Sequence, residues 1–368
     1  MLNSRALFAA LLSAAVLAPA AHAQSTYSVT DLGTPAGCDR AYARGVNDRG
    51  DAIASCYNGP NGTAARAFAW RNGTIVSLGL LPKGTYSDAS AISGTGVVAG
   101  YGDSDKATML GFVTTSSGLL NFFSNNGGYT RPMFVGANGF IGGRYTTSKS
   151  GWVASIKGAI WTPDSKDPRK YRKTDLPIVP GGIDPKLSYS HPNGFNEAGM
   201  AVGFGSTDEI GVRPILWLND AARTIVTLAL PSDGSWGEAV TINNVGQMAG
   251  FENIGLTQPV FWQNDAAHTV SALPLLVGHT YGSVVAMNDA GDIVGHSGYQ
   301  YTPTDVPDDH LVVWRGGQAY ELQTLLDAIS GAGYTLVDVA GINDAGQIAA
   351  TATRNGVPHA VLLTPMAQ

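Results

Sequence analysis

Charge is scarce in this chain. Only 14% of its 368 residues are Asp, Glu, Lys or Arg, and the formal net charge is −6. Nucleic acid needs a basic surface, so it is excluded as the expected partner. One basic run, Lys166 to Lys173 (KDPRKYRK), reads as a solvated loop. Cysteine is nearly missing too: Cys38 and Cys56 are the two present. Two cysteines do not build a thiolate metal centre, but an even pair in an oxidising compartment suggests a disulfide. No stretch past the N-terminus approaches the ~20 apolar residues that span a bilayer. Helical periodicity is missing almost everywhere; only Leu322 to Ile329 is expected to form a helical turn or two. Nucleophile elbow, phosphate loop and His/Asp metal spacing are all lacking, so no cofactor and no metal are expected. The segment 296–310 (HSGYQYTPTDVPDDH) gathers His296, Asp308, Asp309 and His310 in one loop, but at a spacing that matches no metal motif.

The N-terminus has its own character. Arg5 precedes an apolar run from Ala6 to Ala18, and Ala21-His22-Ala23 offers small residues at the positions a signal peptidase reads. Residues 1–23 are expected to be a secretory signal peptide, cut before Gln24. No cysteine follows the cut, so no lipid anchor is implied. The expectation is an exported protein, periplasmic or secreted, with no membrane span. Its 47 glycines and few charges fit a β-rich chain.

Seven copies of one phrase dominate the remainder: GVNDRGDAIA (45–54), AISGTGVVAG (91–100), VGANGFIGG (135–143), GFNEAGMAVG (194–203), TINNVGQMAG (241–250), AMNDAGDIVG (286–295) and GINDAGQIAA (341–350). Their anchoring glycines are Gly50, Gly96, Gly139, Gly199, Gly246, Gly291 and Gly346. The period, near 45 residues with strand-like alternation on both sides, is a propeller signal. In each copy one strand precedes the Asn and a second follows the Gly. A third strand carries Trp70, Trp161, Trp217, Trp262 or Trp314 in five of the copies. A fourth reads TIVSLG (74–79), TIVTLAL (224–230) or HTVSAL (268–273).

The two ends explain each other. The last repeat stops after its third strand, HAVLLTP (359–365), and YSVTDLG (27–33) has the fourth-strand pattern. The expectation is therefore all-β: a seven-bladed propeller of four-stranded antiparallel blades, one domain over 24–368, closed by the N-terminal strand completing the last blade. The Asn-Asp-x-Gly phrase reads as a hairpin turn, since Asn and Asp tolerate turn conformations and Gly supplies positive φ. A calcium loop would need more oxygen ligands at fixed spacing. The tryptophans read as packing between blades. Pairing across the turn at 47–50 sets Cys56 opposite about Ala41, near Cys38, and a bridge there adds about 3 kcal/mol.

The Asn-Asp-x-Gly turns, the strand Ala67-Phe68-Ala69-Trp70, the triplet His359-Ala360-Val361 and the strand Asp31-Leu32-Gly33 together resemble the bacterial extracellular HAF-repeat proteins. The resemblance covers nearly all of 27–365. The chain departs from the pattern in its triplets, which read Arg66-Ala67-Phe68, Pro259-Val260-Phe261 and Leu311-Val312-Val313. The resemblance implies a repeat fold and export, and no reaction.

One face of such a ring carries short turns; the other carries long connections at 57–65, 146–157, 178–188 and 296–310, where a ligand is expected. Seven residues before the Asn position stand Tyr86, Tyr129, Tyr189, Trp236 and Tyr281; Tyr42 and Tyr334 lie at other odd offsets. Five before it stand Asp88, Arg131, His191, Glu238, Ser283 and Asp338. Odd offsets share a strand face, so a rim of aromatic rings over a collar of mixed charge is expected. That combination suits a glycan, whose C–H faces stack on rings while its hydroxyls take hydrogen bonds. The expected ligand residues are Tyr86, Tyr129, Arg131, Tyr189, His191, Trp236, Glu238, Tyr281 and Tyr334. An alternative is a polysaccharide lyase or hydrolase using Asp88, Glu238 and Asp338 as acid and base with His191 as proton shuttle. Another is a protein-interaction scaffold of the envelope. A monomer is expected.

Overall fold

The computed structural model describes residues 26–59, 62, 65–105, 109–122, 129–146, 156–167, 169–181, 189–233, 236–299 and 308–367. The expected signal peptide lies outside these residues, as do parts of all four long connections. Seven four-stranded antiparallel sheets make seven blades. The first strands of the blades are β2 (Arg40–Val46), β6 (Ser87–Ile92), β10 (Thr130–Val135), β14 (Tyr189–Phe195), β18 (Trp236–Ile242), β22 (Tyr281–Met287) and β26 (Thr335–Ile342). They neighbour one another around the axis and line the channel. The ring closes as the termini require. β1 (Tyr27–Asp31) pairs with β28 (Val357–Pro365), from Tyr27 opposite Pro365 to Asp31 opposite Val361. Residues 322–329 hold a short 3-10 turn, Leu322–Leu325.

The core is divided among the blade interfaces. Ile53, Ala67 and Ala69 of the first blade, for instance, pack on Ala89, Val98 and Phe112 of the second. Trp161, Trp217, Trp262 and Trp314 are fully buried, while Trp70 is half-buried. A buried indole N–H needs an acceptor. Trp217, Trp262 and Trp314 donate theirs to the carbonyls of Pro177, Ala229 and Pro274 at 2.9, 2.7 and 2.6 Å. Cys56 lies opposite Ala41, and a disulfide joins it to Cys38.

All seven anchoring glycines have positive φ, between 74° and 85°, as the turn demands. The turn asparagines do more than tolerate the bend. Oδ1 of Asn47 accepts from the backbone N–H of Arg49 and Asp51, while its Nδ2 crosses to the next blade and donates to the Ser93 carbonyl at 2.9 Å. Asn196, Asn243, Asn288 and Asn343 repeat the crossing onto Asn243, Asn288, Asn343 and Asn47, at 2.8 to 3.0 Å. The last of these spans the seam between the final and first blades. The next residue along adds a second ring. The N–H groups of Ala137, Glu197, Asn244, Asp289 and Asp344 are accepted by the side chains of Glu197, Asn244, Asp289, Asp344 and Asp48. The acidic residues of these turns are thus blade-to-blade latches.

Every inner strand carries a β-bulge three residues before the Asn position, at Arg44, Ser90, Met133, Asn193, Val240, Val285 and Ala340. A bulge bends the strand and re-aims the extra side chain. It also drives a carbonyl of the inner strand onto the second strand. A Cβ at Gly203, Gly250 or Gly295 would lie 2.0 Å from the carbonyl oxygen of His191, Glu238 or Ser283. Those glycines are the complement of the bulge.

Candidate channel site

The bulges set the site. Arg44, Ser90, Met133, Asn193 and Ala340 turn into the channel and, with Tyr101, Arg131 and Asp338, line a cavity of about 370 Å3. Asp88 holds one wall together. It accepts from Arg44 Nε at 2.9 Å, from Tyr101 OH at 3.0 Å and from Ser55 Oγ. Burial, reinforced by the Asp88 charge, pushes the Tyr101 hydroxyl up to about 12. The opposite wall is a second chain of bonds. Arg144 donates to the Pro192 carbonyl at 2.7 Å and to Asn193 Oδ1; Asn193 Nδ2 donates to Glu238 Oε2 at 3.2 Å and to the Ala239 carbonyl at 2.9 Å. Burial lifts the Glu238 carboxyl above its ordinary value, against the pull of Asn193 and Arg144. Burial, with the neighbouring Arg131 charge, lowers Arg144.

Arg131 differs from these. It is exposed, its guanidinium stands 5.9 Å from the Tyr101 ring centre, and no carboxylate among the described residues pairs with it. Asp338 Oδ1 lies 3.8 Å from Nε2 of His296, whose Nδ1 is 3.1 Å from Asp309 Oδ2. The hydrogen bond to Asp309 raises His296, Asp338 adds to it, and burial opposes both.

Of the expected collar, Arg131 and Asp338 line the cavity, while Asp88 and Glu238 stand behind it, bonded to Arg44 and Asn193 of its lining. Asp88 is buried and saturated by donors, which leaves it an anchor rather than an acid or base. His191 is 3% exposed and packs on the rings of Tyr189 and Phe204 at 5.4 and 5.2 Å, a core position rather than that of an open proton shuttle. Ser283 faces His296 across the strand pair.

The aromatic positions divide as well. Trp236 is 42% exposed at the start of β18, with its ring 5.8 Å from Phe251. Tyr86, Tyr129, Tyr189 and Tyr281 are half-buried; Tyr86 lies 6.5 Å from Tyr101, and Tyr281 bonds Asp309. Tyr42 packs edge-on to Tyr57 at 5.6 Å. Tyr334 does not belong to the rim. It is 8% exposed in the core of the last blade, and its hydroxyl donates to Asp31 Oδ2 at 2.9 Å. Its offset of nine residues crosses a further irregularity in β26, between Leu336 and Asp338, which breaks the parity argument.

Two sets of residues went unread in the sequence. One is the bulge set, above all Arg44 and Asn193. The other is the second-strand position opposite the collar: Tyr101, Arg144, Phe204 and Phe251, with His296, singled out in the sequence for its loop, at the same position. Its signal was present, since each of these follows the bulge-complementing glycine in VAGY, IGGR, AVGF, MAGF and IVGH.

A third grouping lies at the long-loop end of the sixth blade. His279, Asp308 and His310 bring their ligating atoms within 4.8 Å of one another. Among the described residues no helix is long and apolar enough to cross a membrane.

No protein-family model matches the chain, and no curated protein does either. Solved structures do. YCF48 bound to a D1 peptide is 14% identical with a TM-score of 0.52, over 93% of this chain and 97% of that one. An oligogalacturonate lyase in complex with manganese is 13% identical with a TM-score of 0.57, over 94% of each chain. A prolyl endopeptidase is 14% identical with a TM-score of 0.55, over 93% of this chain and 51% of its own. At such identities the likeness is one of fold alone: the chain is a seven-bladed β-propeller.

Proposed function

We propose that this protein is an exported binding propeller whose ligand is a glycan bearing an anionic group, held at the long-loop mouth of the channel. The observation that carries the reading is the cavity of about 370 Å3 edged by Tyr101 and Arg131, with a guanidinium that no carboxylate of the described chain neutralises. A planar guanidinium pairs bidentately with carboxylate, and with sulfate by the same geometry. Arg44 is already spent on Asp88 and Arg144 on Asn193, so Arg131 is the cation left for a ligand. Trp236 offers an exposed ring at the same end, and half-buried tyrosines continue the rim. The collar supplies both donors and acceptors for sugar hydroxyls. The Cys38–Cys56 disulfide suits an oxidising compartment, in accord with export.

The test is a panel of neutral, uronate-bearing and sulfated glycans, probed with the wild-type chain and Trp236→Ala. The reading expects one anionic class to bind and Trp236→Ala to weaken it with folding intact. Binding of neutral glycans alone, or none of any class, overturns it.

A further inference from the structure

We infer that His279, His310 and Asp308 form a binding site for a divalent transition-metal ion at the long-loop end of the sixth blade, beside the channel mouth and distinct from its cavity. Four segments meet there. His279 precedes β22, Ser297 lies near the end of β23 (Ile293–Gly298), Asp308 and His310 flank the start of β24 (Asp309–Arg315), and Glu321 ends β25 (Gln318–Glu321). In an antiparallel blade those strand ends all fall on one side.

The donor atoms converge. Asp308 Oδ1 is 2.5 Å from His310 Nε2, and Asp308 Oδ2 is 3.9 Å from His279 Nε2. The two imidazole centres are 5.1 Å apart, and all three ligating atoms lie within 4.8 Å of one another. Nitrogen and oxygen ligands bound at ~2.0–2.1 Å in a tetrahedron stand roughly 3.4 Å from each other. The triad brackets that spacing, so an ion entering in place of the shared proton needs only small side-chain shifts.

The backing of the triad strengthens the assignment. A ligating imidazole characteristically gives its other nitrogen to a fixed acceptor, which sets tautomer and ring orientation. Here both do. His279 Nδ1 is 2.9 Å from Ser297 Oγ, and His310 Nδ1 is 2.7 Å from Glu321 Oε1. Both Nε2 atoms are thereby aimed at Asp308. The Tyr299 ring, 5.3 Å from His279, adds an apolar flank.

Ligand chemistry narrows the ion. Two imidazoles and one carboxylate suit zinc and its neighbours; calcium and magnesium prefer oxygen alone, and cuprous copper prefers sulfur. Three protein ligands leave a coordination position open. The next residue, Asp309, bonds His296, which approaches Asp338 in the cavity wall. Occupancy of the metal site thus bears on the channel lining through one residue.

The experiment is titration of the chelator-stripped full chain with Co(II), followed by its visible absorption, and then competition with Zn(II). The expected result is one ion per chain in a tetrahedral or five-coordinate spectrum, displaced by zinc. His279→Ala and His310→Ala each abolish the spectrum, and Glu321→Gln weakens binding about 10- to 100-fold. Asp308→Asn, an isosteric change at a half-buried position, serves as the variant least able to disturb the fold and is expected to weaken binding as well. No stoichiometric binding by the folded wild-type chain overturns the inference. So does binding that survives the His279→Ala/His310→Ala double substitution.

Discussion

Replacing Asn343 with alanine strikes the seam where the ring closes. The Asn343 amide is 3% exposed and makes three hydrogen bonds: Nδ2 donates to the Asn47 carbonyl at 2.8 Å and to Gln347 Oε1 at 2.9 Å, and Oδ1 accepts from Gln347 N at 2.8 Å. At about 1 kcal/mol net for each bond, the loss comes to about 3 kcal/mol; the Asn47 carbonyl keeps its turn bond from Gly50 N–H at 2.9 Å. The molecule contains its own control. The second blade has Ser93 at this position, where Oγ accepts from Val97 N at 3.0 Å and so keeps the turn bond without a cross-blade amide. Asn343→Ser is therefore expected to recover about 1 kcal/mol of the loss. Urea unfolding of wild type, Asn343→Ala and Asn343→Ser, read by tryptophan fluorescence, gives the ordering. A serine variant as damaged as the alanine one, or an alanine variant costing under about 1 kcal/mol, would refute the cross-blade role of the amide.

Two further expectations concern the walls of the site. Gly250→Ala forces a Cβ to within 2.0 Å of the Glu238 carbonyl oxygen, a backbone atom that cannot swing aside, so a loss of at least ~1–3 kcal/mol is expected in the same unfolding assay. Burial raises Glu238, so the folded chain keeps that proton to higher pH than the unfolded chain does. Its contribution to stability is full in acid and lost as pH rises through the folded value. Relative to wild type, Glu238→Gln should therefore gain in urea midpoint as pH is raised from about 4 to 7; a difference that stays flat with pH contradicts the shift.

The architecture was legible because it is repeated. A glycine with positive φ every 45 residues or so, a strand grammar around it and matching ends left little freedom, and pairing across the first turn set Cys56 opposite Ala41. The offset from the Asn picks out Arg131 and Asp338, which line the cavity, and Asp88 and Glu238, which bond to its lining. Parity does not announce a bulge, which inserts a residue and shifts the alternation across it. Arg44 and Asn193 are therefore not marked by it, although Gly203, crowded by the His191 carbonyl beside the Asn193 bulge, is in plain view; the Arg44 bulge faces Ala54 instead. Asp88 is ringed by donors and His191 by aromatic rings, surroundings that a sequence offset does not count. The His279–Asp308–His310 grouping was hidden for another reason. His279 belongs to the connection before β22, and only the pairing of blade strands brings it to the loop that holds the other two.

In the function proposed above, Arg131 reads an anionic sugar at the channel mouth. Calorimetric titration of a uronate oligosaccharide into wild type and Arg131→Gln tests it most directly. A charge-assisted pair contributes ~1.5–3 kcal/mol, so the substitution should weaken binding roughly 10- to 100-fold while neutral analogues are indifferent to it. Equal affinity of both proteins for the uronate would contradict the account.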